Sequence, residues 1–252
     1  MKALITGASS GIGMEMAKIL AREKCELILV ARSKEKLEYL QRTLPTKSTI
    51  IVMDLANEQK IKELYVLTRS EKIDILINNA GFGAWGEFET VPIGKEFEMI
   101  DTNIKAVHLL TKSFLRDMID RDSGYILNVA SSAGLMPGGP LMATYYATKS
   151  YITSLTNSIW YELKRKKSNV SISCLCPGPV ATHFNDVAGV RFSAKPMKAE
   201  DVAEYAIDKM FERKRLIIPG AKMKMAHFFS RFLSEKALLK AAYKIQNKKR
   251  KK

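Results

Sequence analysis

Short apolar runs alternate with amphipathic stretches along most of this chain. Residues 2–5, Lys-Ala-Leu-Ile, form the first run. Runs of this length, bounded by turn signals, read as buried strands. Further runs stand at 26–31, 49–53, 73–77, 124–130, 170–176 and 215–219. Between them, residues 14–23, 34–43, 58–69, 101–120, 145–166 and 200–212 carry helical patterning. Strands that are apolar throughout and alternate with helices predict a parallel sheet covered on both faces. The expectation is an α/β chain of one domain, with a doubly wound, seven-stranded parallel sheet.

The turn after the first strand is rich in glycine. Thr6-Gly7-Ala8-Ser9-Ser10-Gly11-Ile12-Gly13 leads straight into the first helix. Gly7 suits a tight turn, Gly11 allows a pyrophosphate close to the backbone, and Gly13 lets helix and strand pack closely. Free N–H groups and the helix dipole at that end favour an anion. Thr6, Gly7, Ser9, Ser10, Gly11, Ile12 and Gly13 are therefore candidate cofactor contacts.

Tyr145 and Lys149 stand four residues apart in a stretch with helical patterning, so they share one face. A free phenol has a pKa of about 10 and is a poor acid–base catalyst at neutral pH. A neighbouring cation favours phenolate and draws that value down. The pair reads as a proton-transfer device.

These motifs together resemble the classical short-chain dehydrogenase/reductase family over residues 2–220. The Gly-rich turn matches at Thr6, Gly7, Gly11 and Gly13. An Asn-Asn-Ala-Gly segment stands at residues 78–81, a helix asparagine at Asn103, and a serine segment at residues 128–134. Tyr145, Lys149 and the turn Pro177-Gly178-Pro179-Val180-Ala181-Thr182 complete the match. One departure is Ala130, where the family often has serine.

The resemblance implies a Rossmann-type fold and an oxidoreductase that interconverts a carbonyl and a secondary alcohol by hydride transfer. Ser132 would polarise the carbonyl and Tyr145 would pass the proton. Lys149 would lower the phenol pKa and hold the nicotinamide ribose, and Asn103 would anchor a water. Asp54 and Leu55 match an adenine-edge contact. Asn79, Ala80 and Gly81 would let backbone approach the cofactor, and Pro177, Gly178, Val180 and Thr182 would join them. At the end of the second strand an acidic residue would select NAD. Arg32 and Ser33 stand there instead and suit a 2′-phosphate, which favours NADP(H). The alternative function is a non-catalytic dinucleotide-binding regulatory protein on the same fold. Family members often form dimers or tetramers through their two long central helices, which implies a homodimer or homotetramer.

Composition narrows the setting. The chain has 252 residues, enough for one sizeable core. No apolar stretch reaches the ~20 residues of a membrane span. No leader is expected ahead of the first strand. Three cysteines, Cys25, Cys174 and Cys176, argue for a reducing compartment, and a cytoplasmic location is expected. The scattered histidines, His108, His183 and His227, give no metal-ligand spacing. No metal is expected.

Substrate identity is less legible. Residues 81–88, 134–142 and 183–197 would surround the substrate. Phe184, Val187, Val190, Phe192 and Met197 give the last of these an apolar, lid-like character. Their content suggests an apolar ketone or aldehyde.

The C-terminus is the outlier. Of the chain's net +15, residues 213–252 supply +13, with 14 Lys/Arg against Glu235 alone. Three parts are expected: a catalytic unit at 1–220, an amphipathic helical segment at 221–243, and a disordered basic tail at 244–252. In the helical segment Met225, Phe228, Phe229, Phe232, Leu239 and Ala242 recur at helical spacing among cations. Such a segment either packs over the substrate pocket or a partner subunit, or lies on an anionic membrane surface. Nucleic acid is unlikely as a partner, because the body lacks a basic stripe.

Overall fold

Successive strand residues face opposite ways, and here both faces are apolar. Ala3, Ile5, Leu27, Leu29, Ile75, Ile77 and Leu127 join one buried cluster. Leu4, Ile28, Val30, Leu76, Ile126 and Ile172 join another on the opposite side. A sheet of this kind needs helices on both faces. The computed structural model, which describes residues 1–182, 184, 189 and 196–248, has that architecture.

Its strands are β1 (Lys2–Thr6), β2 (Glu26–Ala31), β3 (Ser48–Val52), β4 (Ile75–Asn78), β5 (Gly124–Val129), β6 (Val170–Leu175), β7 (Val180–Ala181), β8 (Met197–Lys198) and β9 (Leu216–Ile217). Seven of them form a sheet in the order β3-β2-β1-β4-β5-β6-β9, parallel throughout. β7 and β8 pair separately beside it. The helices are α1 (Gly11–Arg22), α2 (Lys34–Thr43), α3 (Glu58–Thr68), α4 (Ile93–Ile100), α5 (Val107–Asp120), α6 (Ala143–Arg165), α7 (Ala199–Phe211), α8 (Ala221–Ser230) and α9 (Glu235–Asn247). Buried residues of α1, α2 and α7 cover one face. Those of α3, α5 and α6 cover the other. The fold is the single-domain, Rossmann-type doubly wound sheet that the patterning predicts.

One buried polar network fixes the centre of this frame. Asn78 donates to Thr111 Oγ1 at 3.0 Å and to Asn128 Oδ1 at 2.9 Å. Asn128 in turn donates to Thr156 Oγ1 at 3.0 Å. These fully buried groups tie β4 and β5 to α5 and α6. Leaving one of them unpaired would cost about 1–3 kcal/mol, so the network holds the two long helices in register with the sheet.

The structure departs from expectation in two helices. The predicted helix at 101–120 starts earlier, at Ile93. One π-helical turn, Asp101–Ala106, joins α4 to α5. Gly94 in the first turn and exposed Ile93 and Phe97 obscure the apolar pattern there. The C-terminal segment is two helices rather than one. It breaks after α8 and restarts where the Ser234 hydroxyl accepts from Ala237 N at 3.3 Å. Residues 244–247, expected to be a disordered tail, complete α9.

Candidate active site

The carboxyl ends of the strands open onto a cleft of about 470 Å³. It spans the point where the strand order reverses, between β1 and β4. Such switch points are where open α/β sheets take ligands. Gly7, Ser9, Ser10, Gly11 and Ile12 line one end of it.

At that end α1 begins without a side-chain cap. Ser10 is extended and makes no capping bond, and the first turn has no acidic residue. The helix therefore presents its first N–H groups to the cleft. Gly13 explains how close the turn lies. A Cβ there would stand 2.5 Å from Gly7 O and 2.4 Å from Asn79 Nδ2. Thr6 and Gly13, expected as cofactor contacts, do not line the cleft. Instead Thr6 Oγ1 accepts from Asn79 N at 3.0 Å and Ala80 N at 3.1 Å, which positions the neighbouring turn.

Arg32, Ser33, Asp54 and Leu55 line the cleft beyond β2 and β3, and Lys36 lies with them. Arg32 Nη1 pairs with Glu98 at 3.1 Å, both side chains being well exposed. Exposed pairs of this kind contribute little, about 0–1 kcal/mol, so Arg32 exchanges partners readily. Lys36 escapes the sequence reading because it sits in a polar helix. Ser33 caps α2, its Oγ accepting from Lys36 N at 3.5 Å, and this cap brings Lys36 to the cleft edge.

Tyr145 and Lys149 come together from α6 as their spacing requires. Both are buried, and the Lys149 ammonium lies 5.9 Å from the Tyr145 ring centre. Lys149 Nζ donates to Val129 O at 2.9 Å. Of the two serines, Ser131 is the one whose side chain bears on the Tyr145 phenol and favours its ionised form. Ser131 is extended and starts a short 3₁₀ turn, with its Oγ accepting from Ala133 N at 3.2 Å. Ser132 donates its backbone N–H to Pro177 O at 2.8 Å and lines the cleft nearby. The sequence expectation names Ser132, whereas the side chain that bears on Tyr145 is that of its neighbour Ser131.

Electrostatics also correct an expectation. Burial pushes the Tyr145 phenol up to about 12, and the bond to Ser131 pulls the other way. Burial also lowers Lys149, to about 8. At neutral pH the site thus holds a protonated phenol beside a charged ammonium: a proton donor, with a cation one helical turn away.

Asn103 lies in the π-helical turn, fully buried, and does not line the cleft. Its Oδ1 accepts from Phe82 N at 3.1 Å. Its Nδ2 donates to Phe82 O at 2.9 Å and to Thr148 Oγ1 at 3.1 Å. The side chain is spent on holding the Gly81–Phe82 strand end against α6. A Cβ on Gly81 would meet Asn103 Oδ1 at 2.8 Å and Lys149 Nζ at 3.3 Å, so the two lie close beneath that turn. Asn79, Ala80, Gly81, Pro177, Gly178, Val180 and Thr182 all line the cleft as expected.

The substrate side is apolar. Phe82, Ala84, Met99, Met142, Tyr145 and Tyr146 form one buried cluster. Phe184 stacks on Tyr145 with ring centres 5.4 Å apart. Val187, Val190 and Phe192 of the expected lid lie outside the described residues. Gln246 of α9 was not anticipated. It lines the cleft and donates to the Tyr146 hydroxyl at 2.5 Å. No sequence signal marks it, because its contact spans 100 residues. The three cysteines are free and buried. No cluster of metal-ligating side chains occurs among the described residues.

The groups present suit a dinucleotide. An uncapped helix start meets a pyrophosphate, and Arg32, Ser33 and Lys36 meet the far ribose. Tyr145 and Lys149 stand at the other end.

Comparisons with known proteins agree with that reading. The family model described as short chain dehydrogenase matches residues 1–189. An uncharacterized oxidoreductase from Staphylococcus epidermidis is 30% identical over 208 residues, 81% of this chain and 88% of that protein. Dehydrogenase/reductase SDR family member 11 from Gallus gallus is 33% identical over 81% of this chain and 88% of its own. Among solved structures, a short-chain dehydrogenase from Sphingobium yanoikuyae in complex with NADPH superposes with a TM-score of 0.82. It is 26% identical over 92% of this chain and 93% of that one. A relative from Burkholderia phymatum in complex with NAD gives 0.81 at 26% identity, over 92% and 94%.

Proposed function

This chain belongs to the short-chain dehydrogenase family and is an NAD(P)-dependent oxidoreductase acting on CH–OH groups, and on that premise we propose that it reduces an apolar ketone or aldehyde with NADPH. The observation that carries the proposal is the meeting of Tyr145, Ser131 and Lys149 in one apolar-walled cleft.

When bound, a nicotinamide dinucleotide supplies or accepts hydride at the substrate carbon. The chain's own residues do the rest. Ser131 donates a hydrogen bond to the substrate oxygen and Tyr145 donates the proton to it, as negative charge develops there. A phenol held protonated by burial suits the direction from carbonyl to alcohol. Lys149 holds its positive charge beneath the site and binds the near ribose. Because the Asn103 side chain is committed to Phe82 and Thr148, any water that resupplies the proton rests on the Asn103 main chain. A π-helical turn frees backbone carbonyls for such a use. Phe82, Met142, Tyr146 and Phe184 exclude water and favour an apolar substrate.

The preference for NADPH rests on three donors at the far ribose. Arg32 and Lys36 supply charge and Ser33 a hydroxyl. Residues 1–220 carry this chemistry. The protein acts as a homodimer or homotetramer across α5 and α6, and its free, buried cysteines favour a cytoplasmic setting.

The test is coenzyme oxidation across aliphatic and aromatic ketones and aldehydes. NADPH should be oxidised with at least one apolar carbonyl, and NADH should be at least tenfold poorer by kcat/KM. Arg32→Ala should raise the KM for NADPH about tenfold, the loss of one charged contact, and leave that for NADH unchanged. Equal use of both coenzymes by the wild-type protein would contradict the coenzyme assignment.

A further inference from the structure

The α8 helix is built inside out. Met225, Phe228, Phe229 and Phe232 follow the spacing of one helical stripe. That stripe faces solvent, with Phe232 74% exposed and Phe229 59% exposed. The three phenylalanines stack edge to face, Phe228 lying 5.5 Å from Phe229 and 5.6 Å from Phe232. Leu233, Tyr243 and Ile245 extend the exposed apolar surface. Exposed apolar clusters of this kind mark interaction sites.

Cations surround the stripe. Lys222, Lys224, Arg231, Lys236, Lys240, Lys244 and Lys248 lie on or beside α8 and α9, against Glu235 alone. A second copy would bring the same positive field against itself, since a two-fold contact joins like surface to like. An anionic lipid surface answers both features, aromatic side chains entering the headgroup region and lysines meeting the lipid charge.

The same two helices stand at the mouth of the cleft. Trp85 Nε1 donates to Gln246 O at 3.1 Å, and Gln246 reaches Tyr146 inside. Met223 of α8 packs by Gly178, where a Cβ would stand 3.1 Å away. We infer that α8 and α9 form a docking surface for an anionic bilayer and set the substrate mouth against the leaflet, so that apolar carbonyl compounds enter from lipid. The substrate half of this inference rests on the reduction proposed above; the docking half does not.

Flotation of the full-length protein with vesicles tests it, comparing phosphatidylcholine alone with phosphatidylcholine plus phosphatidylserine. The wild-type protein should float only with the anionic vesicles and be released by raised salt. The exposed triple variant Phe228→Ser/Phe229→Ser/Phe232→Ser should lose roughly tenfold or more of that partitioning. Lys236→Glu/Lys240→Glu should lose the preference for anionic lipid. Both variants should keep wild-type turnover of a small water-soluble ketone, which reports an intact fold and site. Flotation independent of phosphatidylserine, or a triple variant that floats like wild type, would overturn the inference. So would a change from oligomer to monomer in the triple variant by light scattering with flotation unaltered, since a second copy would then cover the stripe. A wild-type protein that floats as expected but reduces no carbonyl would remove the proposed reaction and leave the docking surface standing.

Discussion

Ser131 and Ser132 illustrate how a single residue decides the chemistry. Ser131 is extended while Ser132 opens the 3₁₀ turn, so a shift of one position moves a hydroxyl from the reacting oxygen to its surroundings. The motif contains both serines, and the resemblance assigns the role to Ser132. The Ser131 side chain is the one that bears on Tyr145, and the proposed role goes to it. Ser131→Ala should therefore lower kcat for ketone reduction about 10²-fold, as removal of one such donor does elsewhere. Ser132→Ala should stay within a few-fold of wild type, and the reverse ranking would return the role to Ser132. Lys149 carries a second residue-scale consequence. Burial lowers it to about 8, while Tyr145 is raised to about 12. Below pH 8 the ammonium is charged and the phenol protonated, so reduction should be flat with pH. Above pH 8 the cation is lost and kcat/KM for reduction should fall. Alcohol oxidation needs the deprotonated phenol and should rise with pH instead. A pH series in both directions checks the two signs.

The Tyr145/Lys149 pair and the Gly-rich turn were legible because their chemistry is written in local spacing within α6 and before α1. The seven strands of the main sheet were legible for the same reason, since each is largely an apolar run, whereas the short β7–β8 pair was not. The π-helical turn was not. It depends on Asn103 reaching back across 21 residues to both polar groups of Phe82, a pairing without a periodic signature. Thr6 shows the same limit, since its hydroxyl is taken up by the Asn79 turn 73 residues away. Removing the Asn103 amide leaves the Phe82 N–H and C=O buried without partners. Asn103→Ala should cost about 2–3 kcal/mol of stability, measured from the urea midpoint. An unchanged midpoint would mean that the turn is held by other contacts.

At the scale of the whole molecule, the body and the C-terminus follow different rules. The sheet and its two helix layers bury apolar residues in the ordinary way, and the alternation of runs predicts that architecture. In α8 the helical spacing was legible but the direction of its apolar face was not. Periodicity tells which residues share a face, and only the packed structure tells whether that face turns inward. The pocket wall has the same origin. Tyr146, Phe184 and Gln246 come from three separate segments, and their meeting is a property of the closed fold. The proposed reaction makes the Tyr145 hydroxyl the proton source for a carbonyl oxygen. Its most direct test is NADPH oxidation by Tyr145→Phe with the best ketone found for the wild-type protein, alongside the NADPH dissociation constant. Turnover should fall by about 10²–10⁴-fold, with coenzyme affinity within a few-fold of wild type. Turnover close to that of the wild type would contradict the account.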